Sequence, residues 1–284
     1  MSEVLVHDGT GVAPAADARI PILDHGFLYG DSVYDVVRTA NRRLFMAREH
    51  LDRLRRSGAL IYLELPWSDA EIEARIAALH ERLGPVEAYF RIIATRGPGP
   101  ISLLPDGCDE PGLYIVGRSL ITYDARLYEQ GCAVQVVDRL RNASEALDPQ
   151  AKTGNYLNNM LGLIEARRAE ADDALFFNAQ GNLTEATTSN AWIVEANGRI
   201  VTPPIADGLL PGITRDWIFA LDEAVAEEPI DRGRLDRAAE VFLTGTVKGV
   251  MPVTRIDGVP VGDGSPGPVA RRLAAAYDET LAAN

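Results

Sequence analysis

The sequence predicts a mixed α/β (α+β) fold in two domains, and three observations carry that reading. Short runs rich in β-branched and aromatic residues alternate with segments of helical periodicity along the whole chain. At 284 residues with 46% hydrophobic content, the chain is long enough for one large core or two moderate ones. The stretch from Gly117 to Gln130 separates two halves more clearly than any other. It suggests a smaller N-terminal α/β domain over residues 1–119, a connection over 120–130 and a larger C-terminal domain over 131–284.

The elements follow in order. Val4 to Asp8 reads as a strand that turns at Asp8-Gly9-Thr10-Gly11, and Arg43-Leu44-Phe45 as another strand, followed by a helix through His50-Leu51-Asp52-Arg53-Leu54. Ser68-Asp69-Ala70-Glu71 is a capping box, in which serine and glutamate satisfy each other's backbone N–H groups. The helix it opens carries Ile72, Ile76, Leu79 and Leu83 on one face. Ala88 to Thr95 has strand composition and stops at Arg96-Gly97-Pro98-Gly99-Pro100, a loop. Leu113 to Val116 is a further strand. In the second half a helix is expected from about Gly154 to Glu170, strands at Ala174–Phe177, Ala191–Val194 and Arg199–Thr202, and a turn at Ala179–Asn182. Glu240 to Thr244 reads as a buried strand running into a glycine turn, and Val269 to Leu281 as a helix.

Charge excludes some functions. A formal net charge of −13 argues against a nucleic-acid surface, which needs clustered cations to meet phosphates. No run approaches a membrane span, and the N-terminus lacks the pattern of a signal peptide, so a cytoplasmic protein is expected. Cys108 and Cys132 are too few and too far apart for a disulfide framework or a zinc site, and the four histidines show no metal-ligand spacing; no metal is expected.

Only two lysines, Lys152 and Lys248, stand in a chain otherwise supplied with arginine. A primary amine can lose its proton and attack a carbonyl, which a guanidinium cannot do, so Lys152 is a candidate Schiff-base lysine. A general replacement of lysine by arginine explains the scarcity as well. Tyr156 follows Lys152 by four residues, a spacing that sets a phenol beside the amine if both lie on a helix; a half-buried aromatic is the plainer alternative.

Four more segments carry residue choices suited to chemistry. Leu183-Thr184-Glu185-Ala186-Thr187-Thr188-Ser189-Asn190 is a polar run between apolar strands; its one acid, Glu185, suits a pyridine nitrogen, although a solvated hairpin has the same composition. Leu209 to Asp216 holds a Pro211-Gly212 turn opening an amphipathic helix, whose first N–H groups and Thr214 hydroxyl suit a phosphate or serve as ordinary caps. Leu243-Thr244-Gly245-Thr246-Val247 offers a second tight turn of donors or a plain strand exit. Arg53 either reaches a phosphate or coats its helix.

In their order these segments resemble the class IV pyridoxal-phosphate aminotransferases. Those are the branched-chain and D-amino-acid aminotransferases, (R)-amine transaminases and aminodeoxychorismate lyase. The resemblance rests on Asp31 to Arg38, His50 to Leu54, Lys152 to Asn159, Glu185 to Asn190, Leu210 to Arg215 and Phe242 to Val253, and covers nearly the whole chain. It implies the fold type IV architecture, pyridoxal 5'-phosphate as cofactor, and a homodimer with an active site between domains near the subunit interface. By resemblance Lys152 is the lysine that holds the cofactor, Tyr156 bonds its phenolic oxygen, and Glu185 meets its pyridine nitrogen. Arg53, Ile213, Thr214 and Thr246 correspond to the phosphate cup. Tyr29, Tyr34, Arg38, Tyr89, Arg91, Thr246 and Val247 correspond to the substrate pocket, with Tyr29 to Arg38 able to serve the neighbouring subunit.

For substrates the resemblance implies an amino acid, branched-chain-like or D, and a 2-oxo acid such as 2-oxoglutarate or pyruvate. Tyr89-Phe90-Arg91 is similar to the Tyr-x-Arg of branched-chain enzymes, whereas Gly30 to Val37 is more similar to D-amino-acid enzymes. Asp35 stands where the family usually has glutamate, and Val36 where branched-chain enzymes usually have glycine. The loop from Arg96 to Ile101 lacks the arginine and histidine that clamp the carboxylate in D-amino-acid enzymes. An (R)-amine transaminase and an aminodeoxychorismate lyase-type enzyme are the alternatives; Tyr89 and Arg91 argue against the lyase. Lys248 is expected at the pocket rim, favouring a dicarboxylate, or else as an exposed charge.

Overall fold

The computed structural model describes residues 3–221 and 225–284. The chain divides into two compact units: the first holds residues up to Ile121, Ala151–Asn155 and Asn284, the second Thr122–Gln150 and Tyr156–Ala283. Two details depart from the sequence division. The segment Ala151–Asn155 belongs to the first unit, and Arg126–Glu129, expected in a connection, is a helical turn of the second.

The first unit is built from β1 (Val4–His7), β2 (Val12–Pro14), α1 (His25–Tyr29), β3 (Ser32–Ala40), β4 (Arg43–Leu44), α2 (Ala47–Leu60), α3 (Asp69–Leu83), β5 (Ala88–Thr95) and β6 (Gly112–Ser119). Its six strands form one antiparallel sheet in the order β2-β1-β6-β5-β3-β4. Period-two alternation sends Val33 and Val37 of β3, Phe90 and Ile92 of β5 and Ile115 of β6 to a common face, where they pack with Leu51, Leu54, Ile72, Ile76 and Leu79 from α2 and α3. Each such side chain contributes about 1.5–3 kcal/mol by burial. The Ser68–Glu71 capping box is present with both reciprocal bonds, and it fixes where α3 begins.

The second unit contains α4 (Arg126–Glu129), β7 (Cys132–Val136), α5 (Leu157–Arg168), β8 (Asp173–Phe177), β9 (Leu183–Ala186), β10 (Asn190–Val194), β11 (Ile200–Thr202), α6 (Ile213–Leu221), β12 (Ala226–Glu227), α7 (Arg232–Asp236), β13 (Glu240–Gly245), β14 (Gly249–Ile256), β15 (Val259–Pro260) and α8 (Pro268–Ala283). Strand pairing runs β12-β11-β10-β13-β14-β7-β8-β9, with β15 on β14, and β9 then pairs back to β10 through Glu185 and Asn190. Six strands therefore close on themselves. Leu175, Leu183, Ile193, Val241, Leu243, Met251 and Val253 belong to the core of this ring, whereas Ala174 and Phe176 of β8 join Ala166 of α5 in a separate cluster. A strand covered on both faces needs no polar alternation, which is why Asp173–Phe177 is buried throughout. Trp192 of β10 stacks on Phe242 of β13 and tilts against Phe219 of α6.

The helix expected from about Gly154 starts instead at Leu157. Residues 152–154 are extended and hydrogen-bonded to β3, which removes the i,i+4 argument for pairing Lys152 with Tyr156.

Candidate active site

Lys152 is placed by backbone chemistry. The Tyr34 N–H donates to the Lys152 carbonyl (2.9 Å), the Gly154 N–H to the Ser32 carbonyl (2.8 Å), and the Lys152 N–H to Ser57 Oγ of α2 (3.0 Å). Val33 bridges Thr153 in antiparallel register, so Lys152 stands opposite Tyr34 and shares its face of the sheet. Its Nζ lies 4.6 Å from the Tyr34 ring centre.

That face is cationic. Register pairs Val36 with Arg91, Arg38 with Tyr89, and Tyr89 with Arg118, so their side chains emerge on the side of the sheet opposite the α2/α3 core. The Arg91 guanidinium lies over the Tyr34 ring at 3.6 Å and that of Arg118 over Tyr89 at 4.7 Å. Arg38 Nε donates to the Thr39 carbonyl (3.1 Å). Tyr34, Arg38, Tyr89 and Arg91, all singled out in the sequence, thus line one surface with Lys152. Tyr29, at the end of α1, is the expected pocket residue that is exposed, with its ring edge-on to His25.

On the opposite face Asp35 points into the protein, fully buried, and accepts from Arg53 Nε (2.7 Å) and Nη2 (2.8 Å). His50 Nδ1 lies 2.7 Å from the same carboxylate. Burial opposes the Asp35 charge, but Arg53 and His50 overcome it and hold the carboxyl well below its ordinary range. Burial, with Arg53 and Lys152 nearby, pushes His50 below the usual histidine value against the pull of Asp35. His50 Nε2 is buried with no hydrogen-bond partner among the described residues. The phosphate contact expected of Arg53 is carried by the resemblance; in the structure two of its nitrogens are engaged by Asp35.

In the second unit the polar run read as a cofactor contact or a solvated hairpin is buried apart from Thr188, because β9 and β10 close the strand ring there. Glu185 Oε1 accepts from Arg141 Nε (2.9 Å) and Oε2 from the Leu210 N–H (3.2 Å). Arg141 was not singled out in the sequence; nothing in its local pattern marks it, since it lies 44 residues from its partner. Asn190 Nδ2 donates to the Leu210 carbonyl (2.8 Å), which fixes the approach to the Pro211-Gly212 turn. A Cβ on Gly212 would overlap Asn190 Oδ1, so this close approach requires glycine. Ile213 and Thr214 open α6 and are buried, while Arg215 turns to the Pro203 carbonyl (3.2 Å) and to Glu227 (2.6 Å).

Thr246 and Val247 lie in the turn between β13 and β14. Close by, Ser189 Oγ is buried without a hydrogen-bond partner among the described residues; a Cβ on Gly245 would stand 3.6 Å from it and 3.4 Å from the Thr188 carbonyl oxygen. Lys248 corrects its expectation. It is neither at a rim nor exposed: its side chain is 5% accessible and its Nζ bonds Asp173 at 2.7 Å. A lysine with a buried carboxylate within reach is drawn inward, which sequence alone does not reveal. Among the described residues no cluster of His, Cys, Asp or Glu could hold a metal, and no helix is long and apolar enough to cross a membrane.

Lys152 in the first unit, and Glu185, the start of α6 and the turn after β13 in the second, are the groups that the resemblance assigns to a class IV aminotransferase. Residues 32–256 match the family described as amino-transferase class IV, and the chain belongs to that family, whose members depend on pyridoxal phosphate. The putative branched-chain-amino-acid aminotransferase of Methanocaldococcus jannaschii is 33% identical over 261 residues, covering 90% of this chain and 89% of its own. The branched-chain-amino-acid aminotransferase of Escherichia coli K12 is 30% identical over 271 residues, covering 92% and 87%. A crystal structure of the E. coli enzyme superposes with a TM-score of 0.93 at 28% identity, covering 100% of this chain and 96% of that one. A branched-chain amino acid aminotransferase from T.th. with pyridoxamine 5'-phosphate gives 0.91 at 28% identity, covering 100% and 95%. The chain is a transaminase similar to these branched-chain enzymes.

Proposed function

We propose that this transaminase moves the amino group of an L-branched-chain amino acid to an acidic 2-oxo acid, 2-oxoglutarate foremost. The observation that carries the proposal is the arginine-bearing sheet face in front of Lys152: a half-buried surface of Arg38, Arg91 and Arg118 among tyrosines suits carboxylates. A further support comes from the T.th. branched-chain enzyme, whose structures include complexes with N-(5'-phosphopyridoxyl)-L-glutamate and with 4-methylvaleric acid. Val36, opposite Arg91, adds a side chain that narrows this face, which is the feature least like a branched-chain enzyme.

The residues present fit pyridoxal phosphate, and the buried hydroxyl of Ser189 beside the Thr246 turn is of the kind that an anion would satisfy. When bound, the cofactor supplies a carbonyl carbon for the amine and a pyridine ring that withdraws electrons from the substrate Cα. Lys152 Nζ would hold it and then move the proton to and from Cα as general base and acid. Its extended backbone, tied at Tyr34, Ser32 and Ser57, keeps that amine in place. Glu185, its plane set by Arg141 and the Leu210 N–H, would meet the pyridine nitrogen. Tyr156 would bond the phenolic oxygen, and Arg53, Ile213, Thr214 and Thr246 would hold the phosphate. Tyr89 and Arg91 orient the substrate carboxylates. Tyr29, Tyr34, Arg38 and Val247 complete the substrate pocket.

A homodimer belongs to the same reading. Ile22, Phe27 and Leu103 of the first unit are 69%, 64% and 88% exposed, an apolar surface that a second copy would cover. Half-reactions followed by cofactor absorbance test the substrate assignment. L-Leucine and L-glutamate should convert the cofactor, and D-alanine, D-glutamate and (R)-1-phenylethylamine should not. Conversion by a D-amino acid in preference to L-leucine would overturn it.

A further inference from the structure

The turn Thr246–Lys248 is tied to the protein at three points. Tyr277 Oη donates to the Thr246 carbonyl (3.3 Å), Tyr128 Oη donates to the Lys248 carbonyl (2.8 Å), and Lys248 Nζ donates to Asp173 Oδ2 (2.7 Å). Gly249 closes the turn in the left-handed region at φ 64°, where a Cβ would stand 3.1 Å from the Tyr277 ring. In a trans peptide the carbonyl and the following N–H point in opposite directions. Drawing the Thr246 carbonyl toward Tyr277 therefore turns the Val247 N–H to the other side.

Asp173 is the hub of this arrangement. Its Oδ1 accepts from the Thr187 hydroxyl, from the Thr187 N–H (3.3 Å) and from its neighbour Ala174 N–H (2.9 Å), leaving Oδ2 to Lys248. Asn159 Nδ2 of α5 in turn donates to the Thr187 carbonyl (2.8 Å). One carboxylate so joins the turn after β13 to the segment after Glu185, and Ser189 with its buried hydroxyl lies two residues further on. We infer that Lys248 is a positioning residue: its buried pair with Asp173 sets the Thr246–Val247 turn against the Thr187–Ser189 segment in the geometry that receives the cofactor phosphate. A partly flexible turn would offer the same donors without holding them.

Several features separate this role from plain stabilisation. Burial works against the Lys248 ammonium, yet Asp173, with Tyr123 and Cys132 nearby, holds it above the ordinary lysine value; Asp173 is held below its own, burial opposing and Lys248 prevailing. An ionised pair kept dry at this depth is an expensive way to gain stability, and an apolar pair of similar volume commonly does as well or better. The pair stands where it fixes a turn adjoining the donors.

The inference rests on the assignment of Thr246 to the phosphate, and the experiment separates the two. Apoprotein is titrated with pyridoxal phosphate and with pyridoxal, which lacks the phosphate. Thr246→Ala should weaken pyridoxal phosphate at least fivefold and leave pyridoxal unchanged; an unchanged phosphate ester would overturn the Thr246 assignment. The double variant Asp173→Asn/Lys248→Met leaves no unpaired buried charge and keeps an acceptor for Thr187. It should fold, with near-native circular dichroism, and lose at least tenfold in affinity for pyridoxal phosphate but less than twofold for pyridoxal. If Thr246→Ala behaves as stated while the double variant binds both ligands as the parent does, or loses both equally, Lys248 is structural and the inference fails. Should the double variant not fold, Lys248→Met alone is assayed at the same two ligands under the same criteria.

Discussion

Replacing Arg91 by leucine separates the two halves of the substrate proposal. The guanidinium lies 3.6 Å from the Tyr34 ring centre, and its loss removes a cation–π contact of about 0.5–1 kcal/mol at this partly exposed site, a cost common to every substrate. Because that contact is present with and without substrate, it reaches kcat/KM only through a displaced Tyr34 ring, a loss of at most about two- to fivefold for every substrate. A hydrogen bond from a guanidinium to a carboxylate contributes more, about 1.5–3 kcal/mol. An acceptor with a second carboxylate should therefore lose a further 10- to 150-fold, approximately, because each 1.4 kcal/mol is a factor of ten. Steady-state kinetics of Arg91→Leu with 2-oxoglutarate and with 4-methyl-2-oxopentanoate measure the difference directly. The ratio of kcat/KM values for the two acceptors should shift against 2-oxoglutarate by at least tenfold. Equal losses for both would refute the reasoning, since Arg91 would then only support Tyr34.

Three further outcomes follow from the geometry. Gly162 lies under Phe176 so closely that a Cβ would overlap the ring, and Gly162→Ala should destabilise the protein by about 1–3 kcal/mol, read as a lowered thermal midpoint. Folding keeps His50 below its ordinary value of 6.5, so the unfolded chain binds its proton more readily; the stability gained is complete above pH 6.5 and is lost as pH falls through the lowered folded value. Urea titrations at pH 7.5 and 5.5 should show parent stability falling relative to His50→Asn, by up to about 1.4 kcal/mol per pH unit; parallel curves would show that His50 does not titrate differently on folding. Arg141→Met should leave Glu185 buried without its guanidinium and lower kcat at least tenfold with KM changed less than threefold, whereas unchanged kcat would show that Glu185 needs no such support.

Much of this architecture is legible in the chain. The Ser68 capping box, the alternation of Ala88–Thr95 and the Pro211-Gly212 start of α6 are local signals, and local hydrogen bonding decides them. Lys152 was legible as a chemical oddity, but its setting was not. Its helical spacing to Tyr156 is lost because residues 152–154 pair with β3, a strand far away in sequence. The buried state of Glu185 depends on β9 closing onto β10, and that closure involves strands such as Cys132–Val136 and Gly249–Ile256 whose short or glycine- and proline-containing runs carry little periodic signal. His50 and Arg53 stand 15 and 18 residues from Asp35, yet all three share one buried site. Lys248 illustrates the general difficulty: a charged residue reads as exposed until the carboxylate that neutralises it, 75 residues away, is known.

With only two lysines in the chain, the central claim has a direct measurement. Protein loaded with pyridoxal phosphate is reduced with borohydride, digested and mapped by mass spectrometry. A phosphopyridoxyl adduct is expected on the peptide containing Lys152 and none on the peptide containing Lys248, whose amine is buried against Asp173. An adduct on Lys248, or an unmodified Lys152 in protein that turns over substrate, would contradict it.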